Sequence, residues 1–149
     1  MAHELEIVNG NAQMAYVGDV PWHGLGTKVP ADLTPEQFMV KAGLDWTVEK
    51  EDILTRSGIK VKNKQALVRS SDGSILDVVG TGWNPVQNSE AFNFFEEYVN
   101  AGDMEMHTAG SLKDGQMVWA LAKTKDSFEL FNGCLLYTSP AHETVRNLV

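Results

Sequence analysis

The stretch VPWHGLGTKV at positions 20–29 gathers Trp22, His23, Gly24 and Gly26 in one loop. His23 is the residue there that can move a proton near neutral pH. General acid–base work needs a carboxylate or nucleophile within hydrogen-bond reach of the imidazole, and none is signalled nearby in the sequence. The other histidines, His3, His107 and His142, lie far apart, with no HxH or HExxH pattern and no paired cysteine. Convergent imidazole or thiolate ligands are therefore not indicated, and no metal is expected. Cys134 sits in the apolar run Cys-Leu-Leu-Tyr, where a cysteine behaves as a small hydrophobe rather than a nucleophile. No GxSxG elbow and no P-loop occur, and the GLG of positions 24–26 lacks the third glycine and the strand–turn–helix setting of a dinucleotide fingerprint. No catalytic residue and no cofactor is assigned.

A second chemistry is suggested by charge. Six of the 12 basic residues (Lys50, Arg56, Lys60, Lys62, Lys64 and Arg69) fall between positions 50 and 69. In IKVKNKQ the three lysines alternate, so a strand would point them to one side in a row roughly 13 Å long. Such a row, with Arg56, could follow the phosphates of single-stranded DNA while an exposed Trp46 or Trp83 stacks a base. The bland reading is a charged edge strand that deters edge-to-edge association.

A third candidate is the polar cluster Asn84, Gln87 and Asn88 in GTGWNPVQNSEAF. A helix N-terminus there could hold an anion, although amides at that place more often cap the helix and pin the loop.

Several elements must position these residues. LTPEQFMVKAG reads as a short helix with Thr34 as N-cap, Pro35 in its first turn, Gln37 completing a capping box and Gly43 as its stop. Phe38, Val40 or Lys41, and Ala42 carry it. DWTVEKEDIL is extended, and QALVRSSDGSILDVVG is a hairpin turning at Ser71-Asp72-Gly73-Ser74. The strongest helix follows, capped by Asn88 or Ser89 with Glu90 in its first turn. Ala91, Phe92, Phe95, Tyr98 and Val99 form its apolar face, and Gly102 ends it. MEMHTAG, MVWALAKT, FELF and CLLYT read as strands.

Each helix ends in Ala-Gly, and each is followed by a strand and then a hairpin closing at a glycine, Gly80 and Gly133. An αβββ pattern used twice is thus possible. The fold class is α+β, a mainly antiparallel or mixed sheet with two helices on one face.

The 149 residues make one domain, 43% hydrophobic, with a formal net charge of −8. That balance argues against wholesale phosphate binding and leaves only a local patch for it. The acidic pairs Glu49/Glu51 and Glu96/Glu97 read as solvated faces. No stretch has the length of a membrane span, MAHELEIVNG shows no basic region followed by an apolar one, so no signal peptide is expected, and one cysteine suits a reducing compartment. A cytoplasmic protein is expected.

YVGDVPWHGLGTKV (16–29), WNPVQNSEAFNFFEEYV (83–99) and TAGSLKDGQMVWALAK (108–123) together resemble the phage/plasmid-like family, domain of unknown function 932. The resemblance runs from the N-terminus to about Phe131. It implies carriage by phages, prophages or plasmids and supplies no catalytic residues. Members continue into further strands, so residues 1–149 are expected to be the N-terminal part of a longer domain. CLLYTSP resembles translated adaptor sequence, and 134–149 are expected to be a foreign or truncated tail.

Three functions follow as expectations. One is a mobile-element accessory protein that binds single-stranded DNA in replication or recombination. Another is an acidic protein-binding inhibitor of a host factor. The third is an enzyme using the WHGLG loop, which would need His23 beside a carboxylate in a pocket. In that loop Pro21, Gly24 and Gly26 set the path, and Trp22 is expected to be the plug that seats it on the sheet.

Overall fold

The computed structural model describes residues 4–124, 128–131, 134–136 and 142–148. Its N-terminal part has no long periodic run and folds into short strands. β1 (Ile7–Val8) and β2 (Asn11–Ala12) pair antiparallel around Asn9-Gly10, whose φ angles of 51° and 81° are those a two-residue primed turn requires. β3 (Met14–Tyr16) and β4 (Thr27–Lys28) are parallel neighbours, and the WHGLG loop joins them.

Helix α1 (Pro35–Lys41) starts as its sequence dictates. The Thr34 hydroxyl accepts from the Gln37 N–H at 3.2 Å, and the Gln37 side chain accepts from the Thr34 N–H at 3.0 Å. Its inward residues are Phe38, Met39 and Ala42; Val40 is exposed. Position 39, not 40, follows from the 100° step that places neighbours of Phe38 and Ala42 on one face.

The chain then runs through β5 (Val48–Leu54), β6 (Lys60–Arg69) and β7 (Ile75–Gly80), an antiparallel sheet in that order. Helix α2 (Asn88–Asn100) follows, with Gln87 at its N-cap in place of Asn88 or Ser89. Both helices end in the same way. Gly43 and Leu44 donate to Val40 and Met39, and Gly102 and Asp103 donate to Val99 and Tyr98, each glycine at positive φ. These are two Schellman motifs.

β8 (Met104–Leu112) and β9 (Met117–Thr124) form a hairpin over a single 3-10 turn, Lys113–Gly115. β10 (Phe128–Phe131) pairs with β11 (Cys134–Leu136), and β12 (His142–Leu148) pairs with β9. The resulting five-stranded sheet has the order β12-β9-β8-β3-β4 and is antiparallel except between β3 and β4.

Ala15, Met104, Met106, Ala109, Val118, Ala120 and Ala122 of this sheet share one buried cluster with Phe38, Met39, Phe92 and Phe95 of the helices. Both helices therefore cover one face, and the α+β class read from the sequence is the one the structure shows. Small alanines on the sheet let the phenylalanines seat closely, and truncating any of these rings is worth about 3–5 kcal/mol. Val48, Leu67 and Leu76 extend the same core into the base of the three-stranded sheet.

The first αβββ unit is α1-β5-β6-β7. In the second, the strand beside β9 is β12 and not β10. The β9–β12 ladder runs without a break from Met117 to Lys123, whereas β10 and β11 make their own short, irregular hairpin. Gly133, expected to close the second hairpin, lies outside the described residues.

Candidate functional site

The WHGLG loop is tightly determined by its backbone. The Gly24 N–H donates to the Pro21 carbonyl at 2.8 Å, and the Leu25 N–H donates to His23 Nδ1 at 3.1 Å. Gly26 adopts φ 106° where a Cβ would stand 3.2 Å from the Met14 carbonyl and from the Tyr16 ring. Position 26 thus requires glycine by conformation and by space, while Gly24 requires it by conformation alone, since nothing lies near its missing Cβ.

Trp22 is not the plug. It is 75% exposed, with its ring edge against His23 at a centroid distance of 5.3 Å. The loop is seated by Gly26 on β3 and by buried Val29, so no bulky anchor is needed. His23 uses one ring nitrogen to hold its own loop, which is a structural employment for the residue.

The lysine row sits at the outer end of the three-stranded sheet. Thr55 and Ile59 close the β5–β6 turn, with Ile59 N donating to Thr55 Oγ1 and Thr55 N to the Ile59 carbonyl. Arg56, Lys60, Lys62 and Lys64 are all exposed there. Strict alternation does not hold, because Asn63 takes φ 61° and residues 61–64 bulge opposite Ile53 between the Asp52–Gln65 and Leu54–Lys60 pairs. Lys60 is held by Asp52 at 3.1 Å, and Lys64 faces Gly80 of β7. The Lys60 ammonium and the Gln65 amide hold the Asp52 carboxyl below its ordinary range. Among the described residues no carboxylate pairs with Arg56, Lys62 or Lys64.

The amides before α2 are pinned rather than presented. Gln87 accepts from the Val48 N–H and donates to the Val48 carbonyl, both at 2.9 Å, as a strand neighbour would. Asn88 is fully buried, and its Nδ2 donates to the Leu44 carbonyl at 2.9 Å. Together they tie the start of α2 to the α1–β5 connection. Asn84 stays at the surface, so the three residues do not converge.

The densest polar cluster involves Glu6, which the sequence did not single out, and Asp72, which it placed only in a turn. Arg69, at the inner end of β6, pairs through Nη1 with Glu6 and through Nε and Nη2 with both oxygens of Asp72, at 3.1 and 2.7 Å. Arg69 and Glu6 expose only 6% and 3% of their side chains. Ser111 of β8 donates to Glu6 at 2.7 Å, and the guanidinium lies over Trp46, 5.3 Å from the ring centre. Asp72 also accepts from the Ser74 hydroxyl and N–H. Arg69, then Ser74, hold its carboxyl well below the usual carboxylate range, and Asp72 in turn raises the Arg69 guanidinium.

A cleft of about 320 Å³ opens above this cluster, lined also by Asn9, Gln13, Asp45 and Ser71. The charges at its floor are spent on one another. The cluster clamps the N-terminal strands, the β6–β7 turn and β8 together. A turn signal, Asp72-Gly73-Ser74 three residues after an arginine, marked half of it in the sequence; Glu6 carried no signal.

Among the described residues no three His, Cys, Asp or Glu side chains are grouped to hold a metal ion, and no helix is long and apolar enough to cross a membrane. No curated protein and no solved structure matches the chain. Of the three segments that carry the family resemblance, the second and third lie within a match to a family model, and WHGLG lies before it. The family is described as Domain of unknown function (DUF932), and its model matches residues 75–136, from the start of β7 through β11.

Proposed function

We propose that this chain is a binding protein whose outer β5–β6 arm takes single-stranded DNA. One observation carries the reading. Residues 53–66 hold four cations and no carboxylate in a chain whose net charge is −8, and every one of those cations is exposed. Phosphate attraction needs only a local positive surface, and the acidic remainder would then keep the contact confined to the arm. The same acid-rich body favours the arm over wholesale coating of duplex DNA. Carriage on a phage, prophage or plasmid, which the family resemblance implies, would place the protein in the cytoplasm beside replicating or recombining DNA.

The test is fluorescence anisotropy of a labelled oligo-dT across a salt series. Lys60 is partly neutralised by Asp52, so three cations remain for phosphates. Three contacts on a single strand predict a slope of about −2 in log K against log salt. Lys60→Glu/Lys62→Glu/Lys64→Glu is expected to abolish binding. An absence of binding by the unaltered protein at low salt would remove the proposal.

A further inference from the structure

We infer that Trp83 is the base-stacking platform of the arm, so that the site selects single-stranded over duplex DNA; this rests on the polyanion reading above. The four tryptophans differ sharply in what surrounds them. Trp46 is buried beneath Arg69, and Trp119 packs its indole onto Gly110 of β8. Trp22 is exposed but belongs to the β3–β4 loop, away in sequence and sheet from the arm. Trp83 alone among them is both exposed, at 38%, and next to a strand of the arm's sheet, three residues past the end of β7.

Its backbone is held beside two cations. The Trp83 N–H donates to the Gly80 carbonyl at 3.0 Å, closing a turn. Gly80 is the register partner of Lys64, and Lys50 Nζ donates to the Thr81 carbonyl at 2.7 Å. A half-exposed indole on a fixed turn, three residues past the Gly80 that faces Lys64, has the two parts a single-strand site needs when joined to the exposed cations of the arm. The arm's Arg56, Lys62 and Lys64 meet the phosphates, and the indole face meets an unstacked base. Duplex bases are already stacked on each other and cannot use that face. Such a contact is tolerant of sequence, since every base has a π-face.

The experiment uses the full chain with a labelled oligo-dT of ~15 nucleotides and a duplex of equal length, each in a salt series. Trp83→Ala is expected to weaken oligo-dT binding about tenfold, with the salt slope and the weaker duplex affinity unchanged. Trp83→Phe keeps a stacking ring and is expected to stay within about threefold of the unaltered protein. Circular dichroism of both variants guards against misfolding, and the phenylalanine variant remains informative if the alanine variant unfolds, since loss of the discrimination against duplex in a folded Trp83→Phe would contradict the inference. Salt-dependent oligo-dT binding that Trp83→Ala leaves intact, or equal affinity for duplex, overturns the stacking platform while the basic arm stands. No oligo-dT binding at all removes both.

Discussion

The two ends of β6 carry the same kind of residue in opposite surroundings. At the outer end Lys60, Lys62 and Lys64 stand in water, one of them held by a surface carboxylate. At the inner end Arg69 is enclosed by Glu6, Asp72 and Trp46. Ten residues of one strand thus pass from a surface that can attract a polyanion to a buried charge network that holds the fold. A guanidinium suits the inner end because its planar fork can engage two carboxylates at once and lie on an indole; an ammonium cannot. The contrast teaches that basic composition by itself says nothing about role. Burial and partners divide a single sequence patch into a clamp and a candidate contact surface.

The largest effect is expected from breaking the clamp. Arg69→Ala leaves the buried Glu6 side chain with the Ser111 hydroxyl but without its cation, and removal of one partner of a buried pair costs about 3–5 kcal/mol. Urea unfolding of the variant should show this as a lowered midpoint. Replacing both partners by apolar residues of similar size, Glu6→Leu with Arg69→Met, should recover much of the loss, because no buried charge is then left unpaired. A single variant as stable as the parent protein would show that the inner end is no clamp and would collapse the contrast.

A smaller effect separates two glycines, one at each end. Gly115 has φ 91°, and a Cβ there would stand 2.6 Å from Arg69 Nη1; Gly58, in the outer turn, has φ 84° with nothing within 4 Å. Both pay the left-handed penalty of about 1–2 kcal/mol on substitution by alanine. Only Gly115→Ala should add the cost of displacing the guanidinium, about 1–3 kcal/mol more, as in other overpacked sites. Equal midpoints for the two variants would mean that Arg69 can move aside freely.

Acid should act on the inner end as well. The folded-state pKa of Asp72 is depressed by Arg69 and Ser74. Its stabilising contribution is therefore full above the unfolded carboxylate value of about 4 and is lost progressively as pH falls below it. The parent protein should lose stability from pH 4 downward, and Asp72→Asn should flatten that part of the curve. Because nearly half of the Asp72 side chain is exposed, water screens the pair and the change should be modest.

The parts of the fold that were legible in the sequence were those set by local rules. The capping box of α1, both Ala-Gly stops and the turn at residues 71–74 each depend on a few adjacent residues, and each formed where the sequence placed it. The Asn9-Gly10 hairpin was not read from the sequence, because its strands are too short to show a period. What stayed hidden depends on distant partners. Glu6 and Arg69 are 63 positions apart, and Ser111 lies 105 from Glu6. Trp22 looked like a plug because large aromatics are usually buried, but Gly26 already lies against Met14 and Tyr16 of β3 and Val29 is buried, so the loop sits down without it. The even lysine spacing implied one straight row, and the left-handed turn at Asn63 bends it.

The smallest effect on stability is expected at the outer end, and it sharpens the comparison most directly. Lys62 and Lys64 have no ion-pair partner among the described residues and lie on a bulged, solvent-exposed stretch. Lys62→Glu with Lys64→Glu should shift unfolding by no more than about 0.5 kcal/mol, as surface substitutions away from special features do. Lys60→Glu should cost somewhat more, since it exchanges the contact with Asp52 for a repulsion, and salt should mask the difference. If the double variant instead unfolded as readily as Arg69→Ala, the arm would be part of the clamp, and its cations would need no ligand to explain them. A stable double variant that has lost oligo-dT separates the two roles, since one strand would then hold its fold at one end and its contact surface at the other.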